Sequence, residues 1–333
     1  MPPRVVIAPD KFKGTLTARE AADAMARAVR ERWPDAVVVV IPMADGGDGT
    51  LDALGGANRC DTVTGPLGRP VDARWRLDGG LAVIESAAAS GLVLAGGAEG
   101  NDPWGATSRG VGELVALAVD AGAARIVVGM GGSAMTDGGR GAIEALGDGV
   151  PFASGRVVAL TDTIVAFEDA ARVFAPQKGA DAALVDRLTA RLHADAADWL
   201  ARFGADVRGV SRTGAAGGLS GALFAAGAEL VDGAAHVAAV LGLDAAVAAA
   251  DLVLTGEGAF DVTSRAGKGP GHVLALAASH GVPALVAAGV VSDEARGPGV
   301  IAVADVVGIH RALGHPADAL RIATEAALAD FPT

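Results

Sequence analysis

Short, unbroken runs of Val, Ile and Leu recur along the chain and constrain its fold more than any other feature. These runs lie at residues 4–10, 36–43, 81–86, 125–130, 251–257, 282–289 and 300–308. A strand that is apolar at nearly every position is typical of one buried on both faces, as in a mainly parallel sheet. Parallel neighbours need crossover connections, and the Ala-rich stretches between the runs have the composition of helices that supply them. The sequence therefore predicts an α/β fold.

The first of these connecting helices is marked at both ends. Thr17 and Glu20 form a capping box that predicts its start, apolar residues then recur at helical spacing, and Pro34 predicts its end. The preceding loop, DKFKGT at residues 10–15, therefore lies between the carboxyl end of a strand and the amino end of a helix. Open parallel sheets bind their ligands at that position.

Composition and charge exclude several classes of function. The chain of 333 residues carries a formal net charge of −12, which excludes the basic surface that nucleic-acid binding needs. No apolar run approaches the roughly 18 to 20 residues of a membrane span, so no membrane partner is expected. A single cysteine, Cys60, excludes an internal disulfide framework and fits a reducing cytoplasm, which is the predicted location.

Glycine-rich clusters combine carboxylates, lysines and hydroxyl groups at several points, and all but one follow a predicted strand. The clusters are PDKFKGT (9–15), ADGGDGT (44–50), GMGGSAMTDGGRG (129–141), FAPQKGA (174–180, the exception) and TGEGAFDVTSRAGKG (255–269). Carboxylates beside glycine turns can hold Mg²⁺ or accept a hydroxyl proton, and lysines and bare amides complement phosphate or carboxylate charge. Each cluster alone could be a turn. Together they are typical of phosphoryl transfer to an acidic substrate.

Other enzyme classes are disfavoured. Residues 129–134 match the GxGxxG/A dinucleotide fingerprint, but residues 137–141 are a poor helix start and no partner strand is evident near residue 150, so an NAD enzyme is a minor alternative. No GxxxxGK[ST] loop occurs, and Lys268 is followed by Gly269, which disfavours a P-loop kinase. The lack of a GxSxG element and the scattered histidines disfavour a serine hydrolase and a zinc enzyme.

The clusters occur together with long flanking motifs in a fixed order. The motifs include VVIAPDKFKGTLTAREAADAM, IPMADGGDGTLDAL, VIESAAASGL, ATSRGVGELVALAVDAGA, IVVGMGGSAMTDGG, FAPQKGA, GAAGGLSGA and LVLTGEGAFD. Through these motifs the chain resembles bacterial glycerate kinases of the type I family. The resemblance implies a flavodoxin-like parallel-sheet domain from residues 1–75 and 270–333, with a second α/β domain inserted as residues 76–269. It also implies an active site in the cleft between the two domains.

The resemblance further implies a kinase that uses ATP and Mg²⁺ to phosphorylate D-glycerate, usually to 2-phosphoglycerate, with the 3-hydroxyl left open as the acceptor. A homodimer is also left open. The catalytic residues would be Lys11, Asp45, Asp137 and Asp162, and the sequence does not decide which Asp is the base. Asp45 and Asp261 would hold Mg²⁺. The residues expected to bind substrate or phosphate are Asp10, Lys13, Asp48, Gly131, Gly132, Ser133, Thr136, Gln177, Lys178, Glu257, Asp261, Ser264 and Lys268.

One segment departs from the family pattern. Between the GSAMTDGG and PQKGA motifs the family usually has a longer stretch with an Asn-Pro-Leu element, which is absent from residues 147–175. Asp162 matches the Asp of that stretch. The departure motivates a second hypothesis, in which the protein is a relative that binds or phosphorylates another small hydroxy acid.

Overall fold

The computed structural model describes residues 2–265, 269–329 and 331, which form two compact units. The terminal unit consists of Met1–Asp45 with Ala234–Thr333, and the central unit is Gly46–Gly233. The division therefore falls after residues 45 and 233 rather than after the expected 75 and 269. Strand pairing is the reason: the hairpin at residues 59–78 joins the sheet of the central unit, and the strand at 252–255 pairs with 4–7 in the terminal unit.

Strands and helices alternate along most of the chain. The strands are β1 (Arg4–Ile7), β2 (Val37–Val40), β3 (Arg59–Thr64), β4 (Pro70–Asp78), β5 (Leu81–Glu85), β6 (Arg125–Gly129), β7 (Val157–Thr161), β8 (Glu229–Asp232), β9 (Leu252–Thr255), β10 (Ala259–Phe260), β11 (Ala284–Ala288), β12 (Val290–Val291) and β13 (Val300–Ala302). The helices are α1 (Ala18–Arg32), α2 (Thr50–Ala53), α3 (Ser86–Ser90), α4 (Gly97–Gly100), α5 (Arg109–Asp120), α6 (Arg140–Leu146), α7 (Ala170–Phe174), α8 (Ala182–Phe203), α9 (Leu219–Ala225), α10 (Gly233–Val240), α11 (Leu243–Ala248), α12 (Val262–Arg265), α13 (Gly269–Ser279), α14 (Val303–Val307), α15 (Ile309–Gly314) and α16 (Pro316–Ala329). Within the described part of the chain, none of these helices is both long enough and apolar enough to cross a membrane.

The terminal unit is built on a parallel sheet with the strand order β13-β11-β9-β1-β2. Numbered along the chain, its strands have the order 2-1-3-4-5, so the predicted flavodoxin-like arrangement is confirmed. Helix α1 packs against α16, and buried side chains such as Met25 and Leu320 form the core beside the sheet. Strand β2 lies on one side of β1, and β9, β11 and β13 follow on the other side. The loops after β1 and β9 therefore flank the switch point where such sheets bind ligands.

The central unit contains a mixed sheet with the strand order β3-β4-β5-β6-β7-β8. Strands β5 to β8 are parallel, whereas β3 and β4 are antiparallel to their neighbours. Every residue of β7 is buried, and its first four residues are apolar. The parallel strands end at Glu85, Gly129, Thr161 and Asp232, and we call this end of the sheet the carboxyl edge.

Hairpin turns account for β3 and β4, two of the strands that the apolar runs do not predict. Between β3 and β4 the N–H of Gly65 donates to the carbonyl oxygen of Arg69 at 2.7 Å. Between β4 and β5, Gly79 and Gly80 both have positive φ, as a tight two-residue hairpin turn requires. Strand β4 is exposed at alternating positions near its start, so its sequence lacks a continuous Val/Ile/Leu run.

Two expectations from the sequence are wrong. Residues 300–308 are a strand only as far as Ala302, and α14 follows. A partner strand for β6 does exist near residue 150, because β7 pairs with β6 in parallel through the crossover helix α6. Helix α6 begins despite a poor local start signal, since the carboxylate of Asp137 accepts the N–H groups of Gly139 and Gly141.

Candidate active site

In the terminal unit, the loops after β1 and β2 bring three charged side chains together. Lys11 Nζ lies 3.8 Å from Oδ1 of Asp10 and 3.6 Å from Oδ1 of Asp45. Asp10 is buried, and its Oδ1 also accepts the backbone N–H of Lys11 at 2.6 Å. The side chain of Lys11 keeps about a quarter of its surface exposed (26%), so a ligand can reach the ammonium group. The arrangement is one accessible cation shared by two carboxylates.

The loop after β9 packs against the loop after β1. A Cβ atom on Gly258 would lie 3.1 Å from the backbone nitrogen of Lys13, and one on Gly269 would lie 2.8 Å from Oδ2 of Asp10. The close approach of these segments therefore favours glycine at both positions. Lys13 itself is exposed, and Glu257 is half-buried in the loop after β9. Lys268, also expected here, lies outside the described residues.

Asp261 and Ser264 cap the short helix α12. Oδ1 of Asp261 accepts the N–H of Thr263 at 2.8 Å, its hydroxyl at 2.6 Å and the N–H of Ser264 at 2.9 Å. In return, the Ser264 hydroxyl accepts the N–H of Asp261 at 3.2 Å. The hydrogen bond from the Thr263 side chain is the main cause that lowers the pKa of Asp261. One carboxylate oxygen of this predicted metal ligand is thus already occupied by helix capping.

The donor set of the terminal unit suits a magnesium ion only together with a nucleotide. In the described ranges, no three His, Cys, Asp or Glu side chains are grouped so that they could hold a metal. Asp10 and Asp45 nevertheless offer hard carboxylate oxygens beside Lys11. Mg²⁺ is commonly held by one or two carboxylates plus phosphate oxygens and water. These residues fit that mode and not an all-protein cage.

In the central unit, the glycine-rich loop after β6 packs closely on the loop of residues 46–49. A Cβ atom on Gly131 would lie 2.4 Å from the Cα of Gly47, and one on Gly132 would lie 2.7 Å from Oδ1 of Asp48. The N–H of Gly131 donates to the carbonyl oxygen of Gly46 at 3.3 Å. The two predicted binding glycines therefore have a packing role, and they bring the exposed Asp48 to the carboxyl edge.

Glu85, which the sequence analysis did not identify as a site residue, anchors the same region. It ends β5, and its Oε1 accepts the N–H of Leu51 in α2 at 2.9 Å. Burial is the largest cause that raises the pKa of Glu85, and the nearby charge of Asp48 acts in the same direction. The one signal in the sequence that could have identified Glu85 as a site residue is its place as a carboxylate at the end of a predicted strand.

Lys178 places a buried ammonium group beside the loop after β6. Its Nζ donates to Ser133 Oγ at 3.1 Å and to the carbonyl oxygen of Met135 at 2.6 Å, and the residue is only 3% exposed. Burial lowers the pKa of Lys178 to about 8, while the charge of Asp137 acts in the opposite direction. Across the residues that the structure describes, no carboxylate lies within 4.0 Å of this ammonium. Gln177, its neighbour in a single turn of 3₁₀ helix, is exposed.

Asp137 is buried and its carboxylate is surrounded by donors. Oδ2 accepts the N–H and the hydroxyl of Ser108, each at 2.8 Å, and the N–H of Gly141 at 3.2 Å; Oδ1 accepts the N–H of Gly139 at 3.1 Å. The carboxylate thereby joins the start of α5 to the start of α6. These surroundings differ from those of an accessible base or metal ligand. Ser108 lies within a family motif, but its type and spacing alone do not identify it.

Thr136 has a fully buried hydroxyl that meets no hydrogen-bond partner in the described part of the chain. Its carbonyl oxygen accepts Nη2 of Arg191 at 2.7 Å, and the Arg191 guanidinium stacks on the ring of Trp104, 4.4 Å from its centroid. Arginine from α8 therefore fixes the backbone of the loop after β6. The sequence analysis did not identify Arg191 as a positioning residue.

Asp162 lies at the end of β7, where the guanidinium of Arg212 contacts the main chain. Asp162 is exposed and directly follows Thr161, whose carbonyl oxygen accepts Nη1 of Arg212 at 2.9 Å. Nη2 of Arg212 lies 3.2 Å from Oδ2 of Asp232 at the end of β8. The segment 147–175 therefore contains a buried, paired strand and a charged cluster despite its irregular sequence. Arg212 was also missed by the sequence analysis.

The predicted site residues thus fall into two groups. In the terminal unit the structure brings Asp10, Lys11 and Asp45 together, with Lys13 and Glu257 in the adjoining loops. In the central unit it brings Ser133 to Lys178, places Asp48 against Gly132, and puts Asp162 on the neighbouring strand end.

Comparisons with known proteins agree on one family. The model of the glycerate kinase family matches residues 5–164 and 156–330. The glycerate 2-kinase of Escherichia coli K12 is 39% identical over 329 positions, which cover 87% of this chain and 86% of that protein. The glycerate kinase of Bacillus subtilis 168 is 37% identical, covering 88% and 86%. A crystal structure assigned to glycerate kinase 2 of Salmonella typhimurium LT2 superimposes with a TM-score of 0.79 at 33% identity, covering 99% of this chain and 98% of that one.

Proposed function

The chain belongs to the glycerate kinase family, and from this premise we propose that it transfers the γ-phosphoryl group of ATP to the 2-hydroxyl of D-glycerate. The observation that carries the proposal from the structure is the buried ammonium of Lys178. A lysine in a low-dielectric site without a carboxylate partner is stabilised when an anion binds beside it. Ser133 and the loop after β6 line the same place, so this is where a transferred phosphoryl group would be stabilised.

The terminal unit supplies the groups that suit a metal–nucleotide complex. Asp10 and Asp45 would hold Mg²⁺ through their carboxylate oxygens, and the ion would neutralise charge on the phosphates. Lys11, which lies between these carboxylates, keeps enough exposure to pair with a phosphate oxygen. Asp261 is assigned to helix capping instead, because Oδ1 is committed to α12.

Asp162 is our candidate for the base that accepts the proton of the glycerate hydroxyl. It is exposed at the end of β7, and family resemblance supports the assignment. Asp137 is less suited because four donors surround its carboxylate, and Asp45 is less suited because its oxygen pairs with Lys11. In this scheme Asp137 is a positioning residue for the loop after β6 and the starts of α5 and α6.

A product assay tests the proposal directly. Purified protein with D-glycerate, ATP and Mg²⁺ is expected to release ADP, and phosphorus NMR identifies the product. A 2-phosphate couples to a single methine proton and appears as a doublet, whereas a 3-phosphate couples to a methylene pair and appears as a triplet. ADP release with the triplet would overturn the 2-hydroxyl assignment. A folded protein that releases no ADP with glycerate, but does so with another hydroxy acid, would favour the second hypothesis.

We also propose the cytoplasm as the compartment in which the enzyme works. The reaction consumes ATP, and the thiol of Cys60 is free and exposed, which fits a reducing environment. Alkylation of this thiol in lysates of cells that express the protein, without prior reduction, would measure its redox state.

A further inference from the structure

Arg212 occupies a distinctive place at the carboxyl edge of the central sheet. Its guanidinium bridges the last residues of two neighbouring strands, because Nη1 donates to the carbonyl oxygen of Thr161 and Nη2 pairs with the carboxylate of Asp232. A guanidinium carries five N–H groups. The others meet no protein acceptor among the described residues, and the side chain keeps 23% of its surface exposed. The guanidinium therefore retains donors for a ligand.

Arg212 adopts a backbone conformation that is unfavourable for a residue with a side chain. Its φ is +74°, in the left-handed region that Gly or Asn adopts more readily. In the described part of the chain, Ala216 is the only other non-glycine residue with positive φ. Backbone strain of this kind is concentrated at active sites and ligand-binding sites, where the surrounding structure holds the residue in place.

A purely structural role explains these contacts poorly. Thr161 and Asp232 are already direct partners in the parallel register of β7 and β8. The main chain therefore holds these two strand ends together without help from Arg212. The arginine adds instead a positive charge and a set of unused donors at the end of β7, one residue before Asp162.

We propose that Arg212 binds the carboxylate of the hydroxy-acid substrate, an inference that rests on the function proposed above. The planar fork of a guanidinium matches a carboxylate through paired hydrogen bonds. A polyphosphate fits less well, because Asp232 pairs with Arg212 and Asp162 follows Thr161 in the chain, and both carboxylates would repel its several negative charges. A single carboxylate held by Arg212 brings the rest of the acid to the segment that carries Asp162.

The test compares ligands with and without the carboxylate charge. D-Glycerate and its neutral amide, glyceramide, are titrated calorimetrically into the full-length wild type and into Arg212→Gln and Arg212→Lys. We expect Arg212→Gln to weaken glycerate binding roughly 10- to 100-fold, the value of charge-assisted hydrogen bonds, and to leave glyceramide binding unchanged. Arg212→Lys should lie between. Arg208→Gln is the matched control, since Arg208 pairs with Asp206 on the surface of the same loop.

A second variant separates binding from folding. Asp232→Asn removes the internal partner of the guanidinium and should bind D-glycerate at least as tightly as the wild type. If the only role of Arg212 is to connect the two strand ends, Asp232→Asn and Arg212→Gln will both lower the melting temperature. Both variants will then also bind D-glycerate and glyceramide more weakly by the same factor, and that result overturns the proposal. An increase in the KM for ATP alone would also overturn it. Unchanged glycerate binding in Arg212→Gln would overturn the proposal even if the wild type releases no ADP. The binding measurement therefore tests this inference, whereas ADP release tests the proposed function.

Discussion

At the residue scale, the ammonium group of Lys178 is buried, and its partners among the described residues are a hydroxyl and a carbonyl oxygen. The chain has only four lysines, Lys11, Lys13, Lys178 and Lys268, and each lies in one of the glycine-rich clusters; the other side chains that are always cationic at neutral pH are arginines. A compact, strongly hydrated ammonium differs from a planar guanidinium in how it meets phosphate oxygens. The distribution of lysine is therefore a usable signal for the site in this arginine-rich sequence.

Replacing Lys178 by Met should stabilise the folded protein and abolish most of the activity. The pKa of Lys178 is lowered from 10.5 to about 8 in the folded state. Below pH 8 Lys178 is protonated in both the folded and the unfolded state. Burial of its charge then lowers the free energy of unfolding by the full amount, up to about 3 kcal/mol. Between pH 8 and 10.5 the unfolded chain binds more protons, so the stability of the wild type rises with pH. The advantage of Lys178→Met should therefore shrink across that range.

Denaturant titration of both proteins from pH 7 to pH 10.5 measures this effect. Lys13→Met, at an exposed lysine, is the control and should change stability little at any pH. A stability difference between Lys178→Met and the wild type that stays constant with pH would contradict the assignment of the cost to the buried charge.

The two candidate bases should respond differently to conversion to Asn. Asp162→Asn is expected to lower kcat by about 100- to 10,000-fold, the usual contribution of a general base, with unchanged stability because Asp162 is exposed. Asp137→Asn should unfold more easily, by about 2 to 4 kcal/mol, because an amide NH₂ would face donors that now meet a carboxylate. Steady-state kinetics and urea unfolding measure both variants. The reverse pattern would make Asp137 the base.

At the scale of single elements, packing explains why the loops of the site are rich in glycine. The loop after β6 approaches the loop of residues 46–49 so closely that Gly131 has no room for a methyl group. The sequence indicated glycine-rich loops after strands, and these loops do follow β1, β2, β6 and β9. It could not distinguish glycines that expose amides to a ligand from glycines that let two loops pack, because that distinction depends on residues distant in sequence.

Gly131→Ala should therefore destabilise the central unit. The new Cβ would lie 2.4 Å from the Cα of Gly47, which is backbone and cannot move aside freely, so a loss of roughly 1 to 3 kcal/mol is expected. Gly149→Ala is the matched control, because a Cβ there would meet no atom within 4 Å. Thermal unfolding of both variants measures the difference. Equal melting temperatures would show that the loop after β6 can shift to accept the methyl group.

Helix α12 offers a test of the capping role of Asp261. Asn caps helices almost as well as Asp, so Asp261→Asn should keep both stability and most of the activity, whereas Asp261→Ala should lose about 1 kcal/mol. Urea unfolding and the Mg²⁺ dependence of kcat measure the two variants. If Asp261→Asn raises the Mg²⁺ concentration needed for activity many-fold, the carboxylate is a metal ligand and not only a cap.

At the scale of the whole molecule, the central unit is one continuous stretch with its own sheet and core. Its two ends lie close together at the carboxyl edge: a Cβ on Gly46 would lie 2.9 Å from the Cβ of Leu160, and Asp232 pairs with the next residue, Thr161. Inserted domains commonly have adjacent ends, since the host chain then tolerates the insertion.

We therefore expect residues 46–233 to fold when expressed alone. Circular dichroism should give a mixed α/β spectrum and one cooperative thermal transition, because the fragment keeps the six-stranded sheet and the buried cluster around it. A fragment that begins at residue 76 is the matched comparison, since it lacks β3 and most of β4 and should be unstable. A cooperative transition in the shorter fragment and none in the longer one would contradict the observed boundary.

The sequence by itself determined the fold class and the positions of the site loops. Buried parallel strands must be apolar at nearly every position, and helices and ligand loops must then follow them, so local composition is sufficient. Only the tertiary structure decided that Asp137 is enclosed by donors, that the Lys178 ammonium forms no ion pair with a described carboxylate, and that Arg212 joins two strand ends. These properties depend on contacts between residues separated by about thirty to fifty positions, such as Ser108 with Asp137 and Thr161 with Arg212. Burial and charge pairing are set by such distant neighbours, and residue type and spacing do not record them.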